Sequence, residues 1–434
     1  MDNRIVWQLR LDFSMIALAQ TPSVCSVPFR HNASMKWRTL SLLHRFFAFG
    51  FVLFLVSGLC FGLTTPRRMV RRRAVIRPAA MLKAMAKPRA AVKPAPAVAR
   101  AGLAQASVAG GPWTEPTFAD STDGDNVDGE DLLVRRAAVE ALGAYNGSVV
   151  TVDPTNGRIL SMVNQKLALS GGFQPCSTVK VSVALAGLSE EALRPETKFR
   201  LPGLGKMDLT YALAHSNNYF FATLGEKLGF EKVSYYAHLL GYGEKAGLNI
   251  PGEQPGRYPT APPRNGGVGM LCSFGEEISQ TPLQLAALMS AIANGGTLYY
   301  LQYPKNTLDV KSFIPRVKRR LDIGRLIPVV EPGMRGAVEF GTARRAKDDG
   351  PIAGKTGTCS QDRTHLGWFG SFNGVGARKL VVVVLLTGGR PAIGPLAAGI
   401  AGDLYRILGE KNYFAALQPI TPATLVASRI CCSN

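Results

Sequence analysis

Serine 177 and lysine 180 lie in Phe173-Gln174-Pro175-Cys176-Ser177-Thr178-Val179-Lys180, which leads into an apolar run ending near Leu188. A helix beginning at or just before Ser177 sets the two side chains three apart on one face, with the hydroxyl at the positive end of the helix dipole. A serine is a poor nucleophile until a neighbour takes its proton. A lysine can do so once desolvation or nearby cations lower its pKa. Alone, the spacing reads more plainly as an N-capping serine followed by a surface lysine.

Two further stretches extend this chemistry. Ser216-Asn217-Asn218 is a polar break between helical runs at Leu209 to Ala214 and Tyr219 to Leu228. There a hydroxyl can relay a proton while an amide two residues on binds a substrate amide, although such a break is usually only a cap. Gly354-Lys355-Thr356-Gly357-Thr358 falls in a strand starting at Ile352. It offers a cation and hydroxyls to a carboxylate, a glycine that lets a substrate backbone approach, and free N–H donors. Ser371-Phe372-Asn373 has the same spacing as the second stretch but falls at a hairpin after the third, and is set aside.

In the order Ser-x-x-Lys, Ser-x-Asn, Lys-Thr-Gly, these motifs resemble the penicillin-binding proteins and serine β-lactamases. The resemblance is carried also by Gly147 to Met162, by Tyr242-Gly243-Glu244 onward to Pro251-Gly252-Glu253, and by Ser273-Phe274-Gly275 with Thr281 to Gly296. These look like the transpeptidase domain of monofunctional, class B-type penicillin-binding proteins, over roughly residues 132 to 412. The resemblance implies that Ser177 is acylated by a penultimate D-alanine, that Lys180 is the base, and that Ser216 passes the proton to the leaving amine while Asn218 holds the acyl chain. It implies that Lys355, Thr356 and Thr358 face the terminal carboxylate, and that the N–H groups of Ser177 and Thr358 form the oxyanion hole. The chain departs from the family in a short interval between Ser177 and Ser216. It leaves no room between anchor and domain for an extra module and carries no visible glycosyltransferase region. Gly275-Glu276-Glu277 also replaces the common Gly-Gln-Gly, setting two acids near the cleft.

The elements that must hold these residues are legible in part. Leu132 to Leu142 suits a helix. Gly147 to Val152 and Arg158 to Asn164 alternate as a hairpin around Asp153-Pro154-Thr155-Asn156-Gly157. Ile352 to Thr358, Thr364 to Ser371 and Lys379 to Thr387 read as strands, and about 175 to 300 as mainly helical. Thr281-Pro282-Leu283-Gln284 forms a capping box, Asn294-Gly295-Gly296 a stop, and Ile393 to Leu408 a closing helix. The fold expected is α+β, of the DD-peptidase and β-lactamase type: a five-stranded antiparallel sheet split between the two ends of the domain, flanked by helices, with a helical lobe inserted.

The chain has 434 residues and a net charge of +20, but eleven Lys and Arg with no acid fall between Thr64 and Arg100. That block is linker-like and lacks interleaved aromatics, so nucleic acid is not an expected partner. Glu115 to Asp131 carries seven acids and no base and is read with the basic block as a tether, 64–131. Phe46 to Leu63, uncharged, spans about 27 Å as a helix, enough for a bilayer core of ~30 Å. Lys36, Arg38 and Arg45 precede it and five arginines follow within ten residues, which by charge alone would put the C-terminal part inside the cell. The substrate's location reverses that reading, so residues 1–45 are taken as cytoplasmic, 46–63 as an inner-membrane anchor, 132–412 as a periplasmic catalytic domain and 413–434 as a tail. The seven cysteines lack metal or redox-pair spacing, apart from the adjacent Cys431 and Cys432. They are read as small buried residues, although export permits a bridge and Cys176 and Cys359 each adjoin a motif.

Neither metal nor cofactor is expected. The function expected is D,D-transpeptidation of peptidoglycan stem peptides, with β-lactams as covalent inhibitors and other cell-wall synthesis proteins as partners. D,D-carboxypeptidase, class D-like β-lactamase or β-lactam sensor, and a catalytically silent scaffold are the alternatives.

Overall fold

The protein is described by a computed structural model over residues 114–415, apart from 349, 375–377 and 392. The expected extension 1–45, the span 46–63, the basic part of the linker and the end of the tail lie outside the described residues. Among the described residues, no helix is long and apolar enough to cross a membrane.

Helix α1 (Leu132–Leu142) precedes strands β1 (Gly147–Asp153) and β2 (Arg158–Val163). In their hairpin, the Asp153 carboxylate accepts from the Thr155 N–H at 2.9 Å and Gly157 takes φ +80°, which only glycine adopts freely. Strands β3 (Ile352–Gln361), β4 (Thr364–Asn373) and β5 (Val381–Gly388) come from the far end of the chain. The antiparallel sheet runs β2-β1-β5-β4-β3, so the two ends meet where β5 pairs with β1, Gly147 opposite Leu386. This is the five-stranded α+β sheet expected.

β5 is central, and its continuous apolar run follows from that. Val381, Val383 and Leu385 join Val150 and Val152 in a core beneath the helical lobe, while Val382, Val384 and Leu386 join Val149 in a second core under α1 and α8 (Gly394–Glu410). With both faces covered, polar alternation has no use. The inserted lobe contains α2 (Lys180–Ser189), α3 (Leu209–Ala214), α4 (Asn218–Leu228), α5 (Gly267–Phe274) and α6 (Pro282–Ala293). The predicted capping box of α6 is present, and all of its residues are buried against the sheet. Helix α7 (Ile327–Glu339) packs on α3 and β3. Around Tyr242 to Glu253 the acids are structural: Glu244 pairs with Arg319, and buried Glu253 accepts from the N–H groups of Ala246 and Gly247.

The domain runs past both expected limits. The acidic stretch, read as tether, is packed over 114–131. Asp125 pairs with buried Arg135 at 2.7 Å, Glu130 accepts from the Met162 N–H at 2.9 Å, and Asp131 caps α1. Carboxylates without bases in their own stretch find them, and free N–H groups, on a neighbouring helix and strand. At the other end, buried Tyr413 places its hydroxyl 3.3 Å from Asp131.

Candidate active site

Ser177 sits in a 3₁₀ turn, Cys176–Val179, that runs directly into α2, so the helical segment opens just before Ser177, as its spacing suggests, with a tighter first turn. Both side chains are inside: Ser177 is 8% exposed and Lys180 not at all. The Lys180 Nζ lies 2.9 Å from Ser177 Oγ, 2.8 Å from the Ser216 carbonyl, 3.1 Å from Ser216 Oγ and 2.6 Å from Asn218 Oδ1. An ammonium has three protons for these four oxygens. A neutral amine has two protons and a lone pair, which suits two acceptors and one hydroxyl that donates. Burial, and then the charge of Lys355, hold the Lys180 pKa well below that of an ordinary lysine. The rings of Phe221 and Phe274, each about 6 Å from Nζ, supply part of the apolar wall.

The polar break between α3 and α4 is a double cap. Ser216 is in the left-handed region at φ +55°, with the Asn217 N–H bonded to the Ala212 carbonyl at 2.9 Å, and Asn217 then accepts from the Phe220 N–H to start α4. The plain capping reading is therefore true, and it has a consequence for chemistry. A glycine would serve that helix end at least cost. Serine there brings a carbonyl and a hydroxyl to Lys180, and Asn218, as first residue of α4, brings its amide.

Lys355 lies on β3, an edge strand paired with β4 only, opposite Gly370. It is fully buried, its ammonium donates to the Thr356 carbonyl at 3.0 Å, and burial lowers its pKa to about 7. Alternation puts Thr356 and Thr358 on the opposite face of the strand. Thr356 Oγ1 is 2.6 Å from Thr342 Oγ1, and Thr358 Oγ1 accepts from the Gly394 N–H at 2.7 Å. Gly357 was expected to clear space for a substrate; what lies against it is the protein itself. A Cβ there would stand 2.8 Å from the Pro175 carbonyl oxygen, so the bare strand lets the nucleophile's turn come close. The rival Ser371 is buried within the sheet, bonded to the Val382 carbonyl.

Cys176 and Cys359 form a disulfide with Cα atoms 5.6 Å apart, which corrects the reading of both as merely small buried residues. Composition could not favour the bridge, because 183 residues separate the two and only the seating of β3 on the turn brings them together. Their positions beside two motifs were the available signal. Sequence reasoning also missed Thr342, Phe274, Gln174 and Trp368. The Gln174 N–H donates to the Gln361 side chain at 2.7 Å, its carbonyl accepts from Trp368 Nε1 at 3.0 Å, and its amide reaches Glu276 at 3.3 Å. Glu277 turns away, accepting from the Arg264 N–H. Among the described residues no cluster of His, Cys, Asp or Glu could hold a metal ion.

Residues 147–406 match the family profile of the penicillin binding protein transpeptidase domain. The stage V sporulation protein D of Bacillus subtilis is 29% identical over 311 residues, 59% of this chain and 48% of that protein. The peptidoglycan D,D-transpeptidase MrdA of Haemophilus influenzae is 23% identical over 365 residues, 62% of this chain and 54% of that one. The chain thus spans about half the length of these relatives. A crystal structure of Pseudomonas aeruginosa PBP2 in complex with WCK 5153 superposes with a TM-score of 0.57 at 23% identity, covering 68% of this chain and 77% of that one.

Proposed function

Because the chain belongs to the penicillin-binding protein transpeptidase family, we propose that it is a D,D-transpeptidase that cross-links peptidoglycan through an ester on Ser177. The observation that carries this reading is the buried Lys180 amine, 2.9 Å from the hydroxyl and bounded otherwise by acceptors. Neutral Lys180 takes the proton as Ser177 attacks the penultimate D-alanine carbonyl of a donor stem peptide. The N–H groups of Ser177 and Thr358 hold the developing oxyanion. Ser216, 3.1 Å from the same amine, hands the proton to the departing D-alanine. Asn218 keeps its N–H donors for the acyl chain, and Lys355 with the Thr356 and Thr358 edge sets the charge seen by the terminal carboxylate. A second amine, entering by the same route in reverse, releases the cross-linked product. β-Lactams acylate the same serine. Phe46 to Leu63 anchors the chain in the inner membrane with this domain on the periplasmic side, and 64–113 serves as a tether reaching other proteins of wall synthesis.

Incubation with a fluorescent penicillin tests the reading. The wild-type chain is expected to carry stable label that Ser177→Ala loses entirely. Rapid release of label would replace the transpeptidase reading with a β-lactamase, and an unlabelled wild type with a silent scaffold. Product analysis with stem-peptide donors, with and without an added amine acceptor, separates cross-linking from carboxypeptidase action.

A further inference from the structure

Three ties bind the nucleophile's turn to the adjacent strands β3 and β4, and they differ in what they fix. The Gln174 N–H bonds the Gln361 side chain and its carbonyl takes the Trp368 indole N–H. Both hold the turn three residues ahead of Ser177. The third tie, the Cys176–Cys359 disulfide, joins the residue just before Ser177 to the residue just after Thr358. Ser177 and Thr358 are the two residues whose backbone N–H groups are assigned above to the oxyanion. Cys176 is fully buried with φ +52°, so the turn there is fixed in a conformation that side-chain-bearing residues rarely adopt. The bare Gly357 beside it leaves the Pro175 carbonyl and the strand in direct contact.

We infer that Cys176 and Cys359 are positioning residues for acylation, their disulfide fixing the separation of the two oxyanion donors, so that a dithiol reductant slows the acylation of Ser177 without unfolding the domain. This rests on the acyl-serine reading. In the reduction, a thiolate of the dithiol attacks Cys359 Sγ, the less buried sulfur, and Cys176 leaves as a thiolate. The second thiol of the reagent then displaces Cys359. The reagent ends as its own disulfide, and two electrons and two protons reside on the cysteines. The hydrogen bonds of Gln174 survive, so the turn stays docked while its donors drift. Misplacement of reacting groups by about 1 Å costs on the order of 100-fold, and a partial drift about tenfold.

The test is pre-steady-state acylation of the full chain by a fluorescent penicillin, resolved into the binding constant and the chemical rate constant. It is run oxidised, after dithiothreitol and after reoxidation, with peptide mapping of trapped aliquots reporting the state of the 176–359 pair. The Cys176→Ser/Cys359→Ser variant is run in parallel. The expected result is a chemical rate constant about tenfold lower on reduction, an unchanged binding constant, an intact cooperative unfolding transition, and recovery on reoxidation. The double variant should sit at the reduced level and no longer respond to dithiothreitol, which sets this pair apart from the other cysteines. An unchanged rate with the pair mapped as reduced overturns the inference and leaves the enzyme's function standing. So does a loss that arrives only with unfolding. No labelling of the oxidised chain overturns the acyl-serine reading and this inference together.

Discussion

Lys180 and Lys355 are both buried and both depressed, but catalysis asks opposite things of them. Lys180 must be neutral to accept a proton, and the charge on Lys355 helps to keep it so. Acylation should therefore gain with pH wherever Lys180, its pKa lowered by burial and by the Lys355 charge, loses its proton, and fall as Lys355, lowered by burial to about 7, loses its own. The ascending limb depends on both residues, because the charge of Lys355 is one of the causes that lower the pKa of Lys180. Lys355→Arg is expected to keep the cation at all accessible pH and so to remove the descending limb, at some loss of rate from the bulkier fork. A stopped-flow pH profile of penicillin acylation checks this. A descending limb that persists in the variant would assign it to another group. The spacing of Ser177 and Lys180 and the polar break at Ser216 were legible because both are local: one helical turn and one interhelical cap. The pKa of either lysine was not, because burial sets both, and for Lys180 the rings of Phe221 and Phe274 and the charge of Lys355 that act on it are not neighbours in sequence.

Between the turn and β3, a glycine sets the distance. Gly357→Ala would put a Cβ 2.8 Å from the Pro175 oxygen and 3.2 Å from the Thr178 methyl, and both belong to the turn that carries Ser177. Backbone cannot yield as a flexible side chain can, so turn and strand must part. The variant should lose about 1–3 kcal/mol of stability and on the order of 100-fold in acylation. Denaturant titration and labelling kinetics measure the two. Retention of wild-type labelling would show that the cleft tolerates the shift. Here the sequence pointed to the right residue for an incomplete reason: Lys-Thr-Gly marks a close approach, but nothing in it says that the approaching backbone is Pro175.

Across the molecule, the acidic stretch ahead of α1 is part of the fold. Asp125 and Glu130 flank the Arg135 guanidinium, whose Nη1 also reaches the Met162 carbonyl at 2.9 Å. Arg135→Met leaves buried carboxylates without their cation and is expected to cost about 3–5 kcal/mol. A chain beginning at Leu132 loses the carboxylates and the α1 cap together, and should unfold at lower denaturant than one beginning at Thr114. Equal midpoints for the two would return 114–131 to the tether. This ion-pair cluster adjoins β2 at Met162 rather than the catalytic cleft, so labelling by penicillin should follow stability and nothing more.

By itself the sequence determined the local pieces: the hairpin, the capped central helix, the serine and lysine one turn apart, and the order of three motifs that fixes the family. Each follows from chain geometry over a few residues, where periodicity, turn formers and caps act directly. Only the tertiary structure decided that β5 joins the two ends of the domain, that Cys176 meets Cys359, that Tyr413 reaches Asp131, and that burial lowers the pKa of both Lys180 and Lys355. Those outcomes depend on which surfaces cover one another, and segments separated by more than a hundred residues carry no local mark of the partner that will bury them.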